Sequence, residues 1–175
     1  MPVNAEKEIS KLCRNLHAAQ GEIIKMYYRM REVTLAVAPS GTDPMEVGLK
    51  AAEMIGKDMG KNLIPRLNWL KGEEGFLMQL GGALAGIWNT EGGIAGVEQG
   101  EKPGEVFIRC TRCPWPSTAK DFEVSMEEVA LSRERMFQAM LEDISVFFNI
   151  PLKLEMLKAI PRGHGSYLMR LSKAA

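Results

Sequence analysis

The chain has 175 residues, with 22 basic and 22 acidic side chains that leave no net charge at pH 7. This balance excludes a general attraction to nucleic acid or to an anionic membrane, so we expect neither as a partner. The length fits one domain with its own core, and we predict a single α+β domain over residues 1–175. Three cysteines and a polar N-terminus without an apolar leader favour a reducing, cytoplasmic location.

The first half of the chain has the periodicity of helices. Apolar side chains such as Ile9, Leu16 and Ile23 recur at helical spacing, which predicts a long amphipathic first helix with Asn4 as its N-cap. Glycines in the third helix would allow another backbone to approach closely. The predicted helical part covers about residues 4–90, with helices at about 4–37, 44–64 and 74–89.

The second half alternates in the way that strands do. Residues 93–98 and 105–111 flank a turn-rich connector and predict a β-hairpin. Its second strand places Cys110 on the same face as Val106 and Ile108. A second hairpin is predicted near the end of the chain. The mixed part therefore covers about residues 93–172, with the strands of the second hairpin at 152–158 and 166–172.

A helix is predicted between the two hairpins, because Ser125 and Glu128 have the spacing of a capping box. In that motif Ser125 caps the helix and the Glu128 side chain reaches back to it. The helix should end near Phe148, and its charged run at 133–135 is expected to be a solvated surface. Helices and hairpins in this order predict an antiparallel sheet with helices packed on one side, an α+β fold.

A Cys-x-x-Cys motif, Cys110 to Cys113, places two thiols three positions apart at the end of a predicted strand. Such a pair can share a metal ion or form a disulfide. Cys13 and His17 share one face of the first helix, so the four side chains would supply the donors of a tetrahedral zinc site. The alternative is a set of structural cysteines beside a surface histidine, without a metal.

Three short motifs in the second half resemble one family. They are 112–114 (Arg-Cys-Pro), 149–151 (Asn-Ile-Pro) and 161–163 (Pro-Arg-Gly). With the order of elements they resemble the L-2-amino-thiazoline-4-carboxylic acid hydrolase family, which is similar to vinyl-reductase-type small-molecule-binding domains. The resemblance implies an α+β fold of the vinyl-reductase or NO-signalling type, related to vesicle-tethering folds. It also implies an apolar ligand cavity between helices and sheet, and often a dimer.

Candidate catalytic residues follow from the motifs. Cys113 is the one residue that the resemblance carries over directly, although members of the family commonly have further cysteines where this chain has none. Cys113 could act as a nucleophile if a neighbouring base or cation lowers its pKa. A hydrolase would instead need a group to activate water, and Glu128 and His164 are candidates. Glu128 has the competing role of capping-box partner.

Candidate ligand-binding residues are aromatic or cationic. If the implied cavity exists, Tyr27, Trp88 and Trp115 are candidates for its lining, although core packing explains them equally well. Arg162 lies in a glycine-containing turn that could bind an anion or simply close the second hairpin.

Our main hypothesis is a small-molecule-binding domain with an internal apolar pocket, which could act as a hydrolase of the thiazoline kind. The expected assembly is a homodimer. The alternative is a non-catalytic homodimer or accessory subunit whose long first helix and glycine-rich third helix form an interface. A structural zinc protein is a third hypothesis. A ligand-binding domain predicts a closed apolar cavity with convergent polar groups, whereas an interaction protein predicts a filled core and a large exposed apolar patch.

Overall fold

A computed structural model describes the backbone of residues 5–174 and the side chains of residues 8–70 and 72–174. Within this range the chain forms five α-helices and a four-stranded antiparallel sheet, which confirms the α+β prediction. The Asn4 cap lies outside the described residues. The helices are α1 (Ala5–Val37), α2 (Pro44–Leu63), α3 (Gly72–Thr90), α4 (Trp115–Asp121) and α5 (Met126–Phe148). The strands are β1 (Ile94–Gln99), β2 (Glu105–Arg112), β3 (Leu152–Lys158) and β4 (Tyr167–Lys173).

The sheet is built from the two predicted hairpins. Its strand order is β1-β2-β4-β3, so each hairpin contributes one edge strand and one central strand. In the centre, Ile108 of β2 lies opposite Met169 of β4, and both side chains are fully buried. Alternate residues of β2 are buried and Cys110 lies on the buried face, as the two-residue period of a strand predicts. The main core lies between this face, α3 and α5.

Short polar caps fix where two helices begin. Asp43 caps α2 by accepting a hydrogen bond from the Met45 backbone N–H at 2.9 Å, and Pro44 occupies the first turn. Ser125 caps α5 by accepting from the Glu128 backbone N–H at 3.1 Å, as the capping-box spacing predicts. The second half of the predicted box is wrong, because the Glu128 carboxylate pairs with an arginine of α1 instead.

Close packing of α2 on α5 depends on small residues of α2. These residues are buried and recur at every fourth position: Gly48, Ala52, Gly56 and Gly60. A Cβ atom on Gly56 would lie 2.1 Å from the carbonyl oxygen of Met136 in α5. The two helix backbones are therefore in direct contact, which only a residue without a side chain permits.

The glycines of α3 have a more limited role than the sequence suggests. A Cβ atom on Gly81 would lie 2.8 Å from the Val97 side chain and 2.9 Å from that of Val106. This close approach is to side chains of the sheet, not to another backbone. A Cβ atom on Gly82 or Gly86 would have no described atom within 4 Å apart from the backbone and chain neighbours in its own helix.

A second, smaller apolar cluster attaches α1 to the rest of the molecule. Ile24 and Tyr28 of α1 are buried with Trp115 and Ala119 of α4 and with Val129 of α5. The sequence does not predict α4, because the prolines around Trp115 indicate a rigid turn. This short helix places α1 beside α5, which brings Tyr27, Trp115 and Glu128 of the candidate site residues to one region.

Candidate functional site

Aromatic side chains meet where α1, α4 and α5 come together. The rings of Tyr27 and Tyr28 pack edge-on against Trp115, with ring centroids 5.0 and 5.6 Å apart. The Tyr27 hydroxyl donates a hydrogen bond to the carbonyl oxygen of Gly48 in α2 at 3.1 Å. Burial raises the pKa of Tyr27 and of Tyr28, so both phenols stay protonated at neutral pH. These aromatic residues thus join three helices.

A buried ion pair lies directly behind this cluster. The Arg133 side chain is 3% exposed and donates hydrogen bonds through both terminal nitrogens to the Glu91 carboxylate. Its guanidinium lies 4.6 Å from the centroid of the Trp115 ring, whose indole N–H donates to Glu91 at 2.9 Å. Arg133 therefore has both a counter-charge and an aromatic face. The prediction that 133–135 is a solvated surface is wrong at Arg133, whose side chain lies on the buried face of α5.

A second buried ion pair ties α1 to α5. Arg31 donates two hydrogen bonds, at 2.6 and 2.7 Å, to the two oxygens of the Glu128 carboxylate. The side chains are 9% and 6% exposed, so this pair is shielded from solvent. Because both oxygens accept from a guanidinium, Glu128 has a structural role here. The sequence offered it as a candidate catalytic group, and that assignment stays a prediction.

An apolar cavity of about 190 Å³ lies between α1, α2 and α5. Tyr27 and Trp115 line it, as predicted for the ligand site, and its charged groups are Glu91, Glu128 and Arg133. Trp88 does not line it, because this side chain is fully buried in the main core. The remaining lining is mostly apolar: Ile23, Tyr28, Ala52, Ile55, Met59, Val124, Val129 and Met136, with Ser132.

The two thiols of the Cys-x-x-Cys motif differ in environment. Cys110 is fully buried in the main core, and its thiol donates to the Arg112 carbonyl oxygen at 3.0 Å. Cys113 is half-buried between the two apolar clusters. When Cys113 is ionised, the Cys110 thiol can donate to it instead, and this hydrogen bond, aided by the charge of Arg133, lowers the pKa of Cys113 to about 7 despite its burial. The same hydrogen bond and burial raise the pKa of Cys110.

These environments predict different alkylation behaviour for the thiols. In the native protein we expect Cys113 to react with iodoacetamide at a rate that follows its thiolate fraction, so that the rate is half-maximal near pH 7 and levels off at higher pH. Cys110 should react only after unfolding, because its side chain is fully buried. A Cys13→Ser variant removes the exposed third thiol from the measurement, and peptide mass spectrometry identifies the modified residue. Native alkylation of Cys110 at the rate of Cys113 would contradict this assignment.

The structure does not bring the four predicted zinc donors together. Cys13 and His17 lie on an exposed part of α1, whereas Cys110 lies inside the core. The His17 ring nitrogen lies 3.2 Å from the Gln20 side-chain oxygen. Residues 8–174, so far as their side chains are described, contain no group of three or more His, Cys, Asp or Glu placed to hold a metal ion.

The turn that contains Arg162 and His164 also serves the fold. Arg162 donates hydrogen bonds at 2.7 and 3.2 Å to the Glu127 carboxylate of α5, which ties the β3–β4 connection to that helix. The exposed His164 ring contacts the backbone of Ala159 at 3.1 Å. Among the hydrogen bonds of the described residues, none joins any two of Cys113, Glu128 and His164. The three candidate catalytic groups therefore have separate partners.

The exposed side of α1 carries a row of large apolar side chains. Large apolar side chains, each more than half exposed, follow one another at alternating intervals of three and four residues. Alternation of three and four is the a/d pattern of a coiled-coil heptad. We call this set the apolar stripe: Ile9, Leu12, Leu16, Ile23, Met26, Met30, Val33 and Val37. The exposed Ala19 fills the one gap in the pattern.

A different side of α1 contacts the rest of the molecule. Among the residues of α1 whose side chains are described, the buried ones are Gln20, Ile24 and Tyr28, and they lie on a different face from the stripe. Every described side chain from residue 8 to residue 19 is exposed, so the first half of α1 extends beyond the packed part of the protein. The apolar face that the sequence predicts for α1 is thus exposed to solvent. The sequence signal for this exposure is the strict heptad spacing, which a helix that packs on its own core does not need.

None of the helices among the described residues has a stretch that is long and apolar enough to cross a membrane.

Comparison with known proteins identifies a shared fold. No protein-family model matches the chain. No curated protein matches it either. The chain is similar to the solved structure of a trafficking protein particle complex subunit 3 from Naegleria fowleri, covalently bound to palmitic acid, with a TM-score of 0.55 and 14% identity. The match covers 90% of this chain and 96% of that chain.

This comparison corrects two predictions. The resemblance to the thiazoline-hydrolase family and to vinyl-reductase-type domains is wrong, because no model of a family matches and the similar fold is that of a trafficking-complex subunit. The main hypothesis, a small-molecule-binding domain or hydrolase of that kind, is wrong with it. The motifs that suggested it are turn and helix-end sequences, which unrelated folds also use.

Proposed function

We propose that this protein is a non-catalytic subunit that assembles with protein partners through the apolar stripe of α1. The observation that carries the proposal is the heptad of eight large apolar side chains, each more than half exposed. At on the order of 100 Å² per side chain, the stripe presents ~800 Å² of apolar surface, about what each partner contributes to a standard interface. A patch of this size is above what a monomeric protein usually exposes.

The exposed first half of α1 supports the same proposal. Helical residues 8–19 have no buried side chain, and an isolated helix of this length is marginally stable in water. Packing of the stripe against another helix would give this segment the tertiary contacts that stabilise most protein helices. The protein with a similar fold is a subunit of a trafficking protein particle complex, which fits such a role. We further propose a cytoplasmic location, where the three free cysteines would stay reduced.

The proposed interface is formed by α1 alone. The sequence predicted that the glycine-rich third helix, α3, would also contribute, but its side chains Phe76, Leu80 and Trp88 are fully buried in the core. The partner surface that suits the stripe is another amphipathic helix, because knobs-into-holes packing requires matching a and d positions.

Site-specific photo-crosslinking tests the proposal. A benzophenone amino acid placed at Leu12 or Met26 should give covalent protein adducts in cells of the native host after illumination. The control is the same amino acid at Lys11, which is exposed on the same helix but lies off the stripe. We expect adducts of defined mass at the stripe positions and at most a small fraction of that yield at Lys11. Equal yields at all three positions, or none at Leu12 and Met26, would overturn the proposal.

A further inference from the structure

We infer that the partner helix is the α1 of a second copy, packed antiparallel about a two-fold axis between residues 24 and 25. This inference rests on the proposed function and names its partner. In an antiparallel pair with this axis, residue i faces residue 49−i of the other copy. Between residues 12 and 37, each a position of one stripe then faces a d position of the other, whereas Ile9 lies beyond the paired segment. Leu16 faces Val33, and Ile23 faces Met26.

The size of the side chains favours the antiparallel pair. A parallel pair in register would place Ala19 opposite Ala19 of the partner subunit, which leaves a hole in a core of large residues. The antiparallel pair places Ala19 opposite the Met30 of the other copy, so that a small side chain meets a large and adaptable one. In the layers farther from the axis, Leu16 faces Val33 and Leu12 faces Val37. Each layer therefore contains a similar total side-chain volume.

Charge selects this register over the neighbouring one. Glu22 and Arg29 lie along one edge of the stripe, where their side chains approach to 3.7 Å within one chain. With the axis between 24 and 25, Glu22 of each copy lies beside Arg29 of the other, because g positions flank g positions in antiparallel pairs. A shift by one heptad would instead place the two Glu22 carboxylates side by side. A parallel pair would place Glu22 beside Tyr27, without a counter-charge.

The position of the rest of each molecule permits this pairing. The buried residues Gln20, Ile24 and Tyr28 place the packed part of the protein on a side of α1 away from the stripe. The angular step of an α-helix, 3.6 residues per turn, separates the two directions by roughly 130°. Two copies can therefore approach stripe to stripe with their packed parts on the outside. The interface is isologous and closes as a dimer.

Cysteine crosslinking tests the inference on the full chain. In a Cys13→Ser background, L16C and V33C variants are oxidised separately and as a mixture. The antiparallel pair predicts a disulfide-linked dimer in the mixture and in the L16C/V33C double variant, with little dimer from either single variant. A parallel pair predicts the reverse, dimers from each single variant, and would overturn the inference. The Cys13→Ser background without added cysteines is the control for the native thiols.

The mass of the protein in solution and a swap of the charges at positions 22 and 29 test the dimer independently of crosslinking. Light scattering should find twice the 19.4 kDa chain mass at micromolar concentration. Met26→Glu should give a monomer, whereas Lys11→Glu, the matched acidic control off the stripe, should stay dimeric. Arg29→Glu should weaken the dimer at least tenfold, and adding Glu22→Arg should restore it, because the swap re-forms the pair between copies. Failure of the swap to restore the dimer would overturn this register.

The two proposals fail in different ways. A monomer in solution whose stripe crosslinks in cells to a different protein overturns self-association and leaves the proposed function in place. A monomer without stripe adducts overturns both. Co-sedimentation of the monomer with vesicles of phosphatidylcholine and phosphatidylserine, lost in Met26→Glu, would identify the stripe as a membrane contact and would also overturn both.

Discussion

Replacing Glu91 by Gln should lower the free energy of unfolding by about 3 to 5 kcal/mol, because it leaves the Arg133 charge buried without its partner. Arg133 is almost fully buried, and Glu91 accepts from both its terminal nitrogens as well as from the Trp115 indole. Glu91 also follows the C-terminal end of α3, where a negative charge is unfavourable unless a cation lies nearby. Urea unfolding followed by circular dichroism measures the change.

Two further variants separate loss of the pair from loss of a side chain. Glu127→Gln removes the partner of the more exposed Arg162, and we expect a change below about 1 kcal/mol. Adding Arg133→Met to Glu91→Gln should recover much of the lost stability, since an apolar side chain of similar length then replaces the unpaired charge. If the double variant is less stable than Glu91→Gln by several kcal/mol, the stacking of Arg133 on Trp115 matters more than its charge.

Local signals predict the order of elements well. The turn between β1 and β2 and the start of α5 at Ser125 are each determined by a few neighbouring residues. Both can therefore be predicted from the sequence. The alternation of β2 likewise predicts that Cys110 is buried. By contrast, α4 begins inside the proline-containing run, and because Pro116 is tolerated in its first turn, the prolines alone do not distinguish this helix from a rigid turn. The sheet order, with β2 beside β4, joins residues far apart in the chain and has no local signature.

The candidate site depends on long-range pairs, which explains what the sequence did not predict. Glu128 fits a capping box, but its carboxylate has a stronger partner in Arg31, 97 positions away. Arg133 stands in a charged run, although its spacing of four from Val129 and from Phe137 matches the buried face of α5. The apolar stripe was recognised as helical, but its regular heptad and exposed setting were needed to distinguish a partner-facing surface from a core-facing one.

Gly56→Ala should lower the free energy of unfolding by about 2 to 3 kcal/mol, even though alanine favours a helix more than glycine does. The added Cβ would lie 2.1 Å from the Met136 carbonyl oxygen and 3.1 Å from the Ala139 side chain. The first contact is with backbone, which cannot rotate away as a flexible side chain can. The helices would have to separate, and the cavity and the Arg31–Glu128 pair beside them would be disturbed.

A matched substitution in α3 isolates the effect of the helix contact. Gly82 is also inside a helix, but a Cβ placed there would have no described atom within 4 Å apart from the backbone and chain neighbours in its own helix. Gly82→Ala should therefore raise the free energy of unfolding by up to about 1 kcal/mol through helix propensity alone. Opposite signs for the two glycine variants in urea unfolding would establish that backbone contact, not local preference, decides the Gly56 result. Equal and positive changes would mean that α2 and α5 can separate at no cost, contrary to the packing described here.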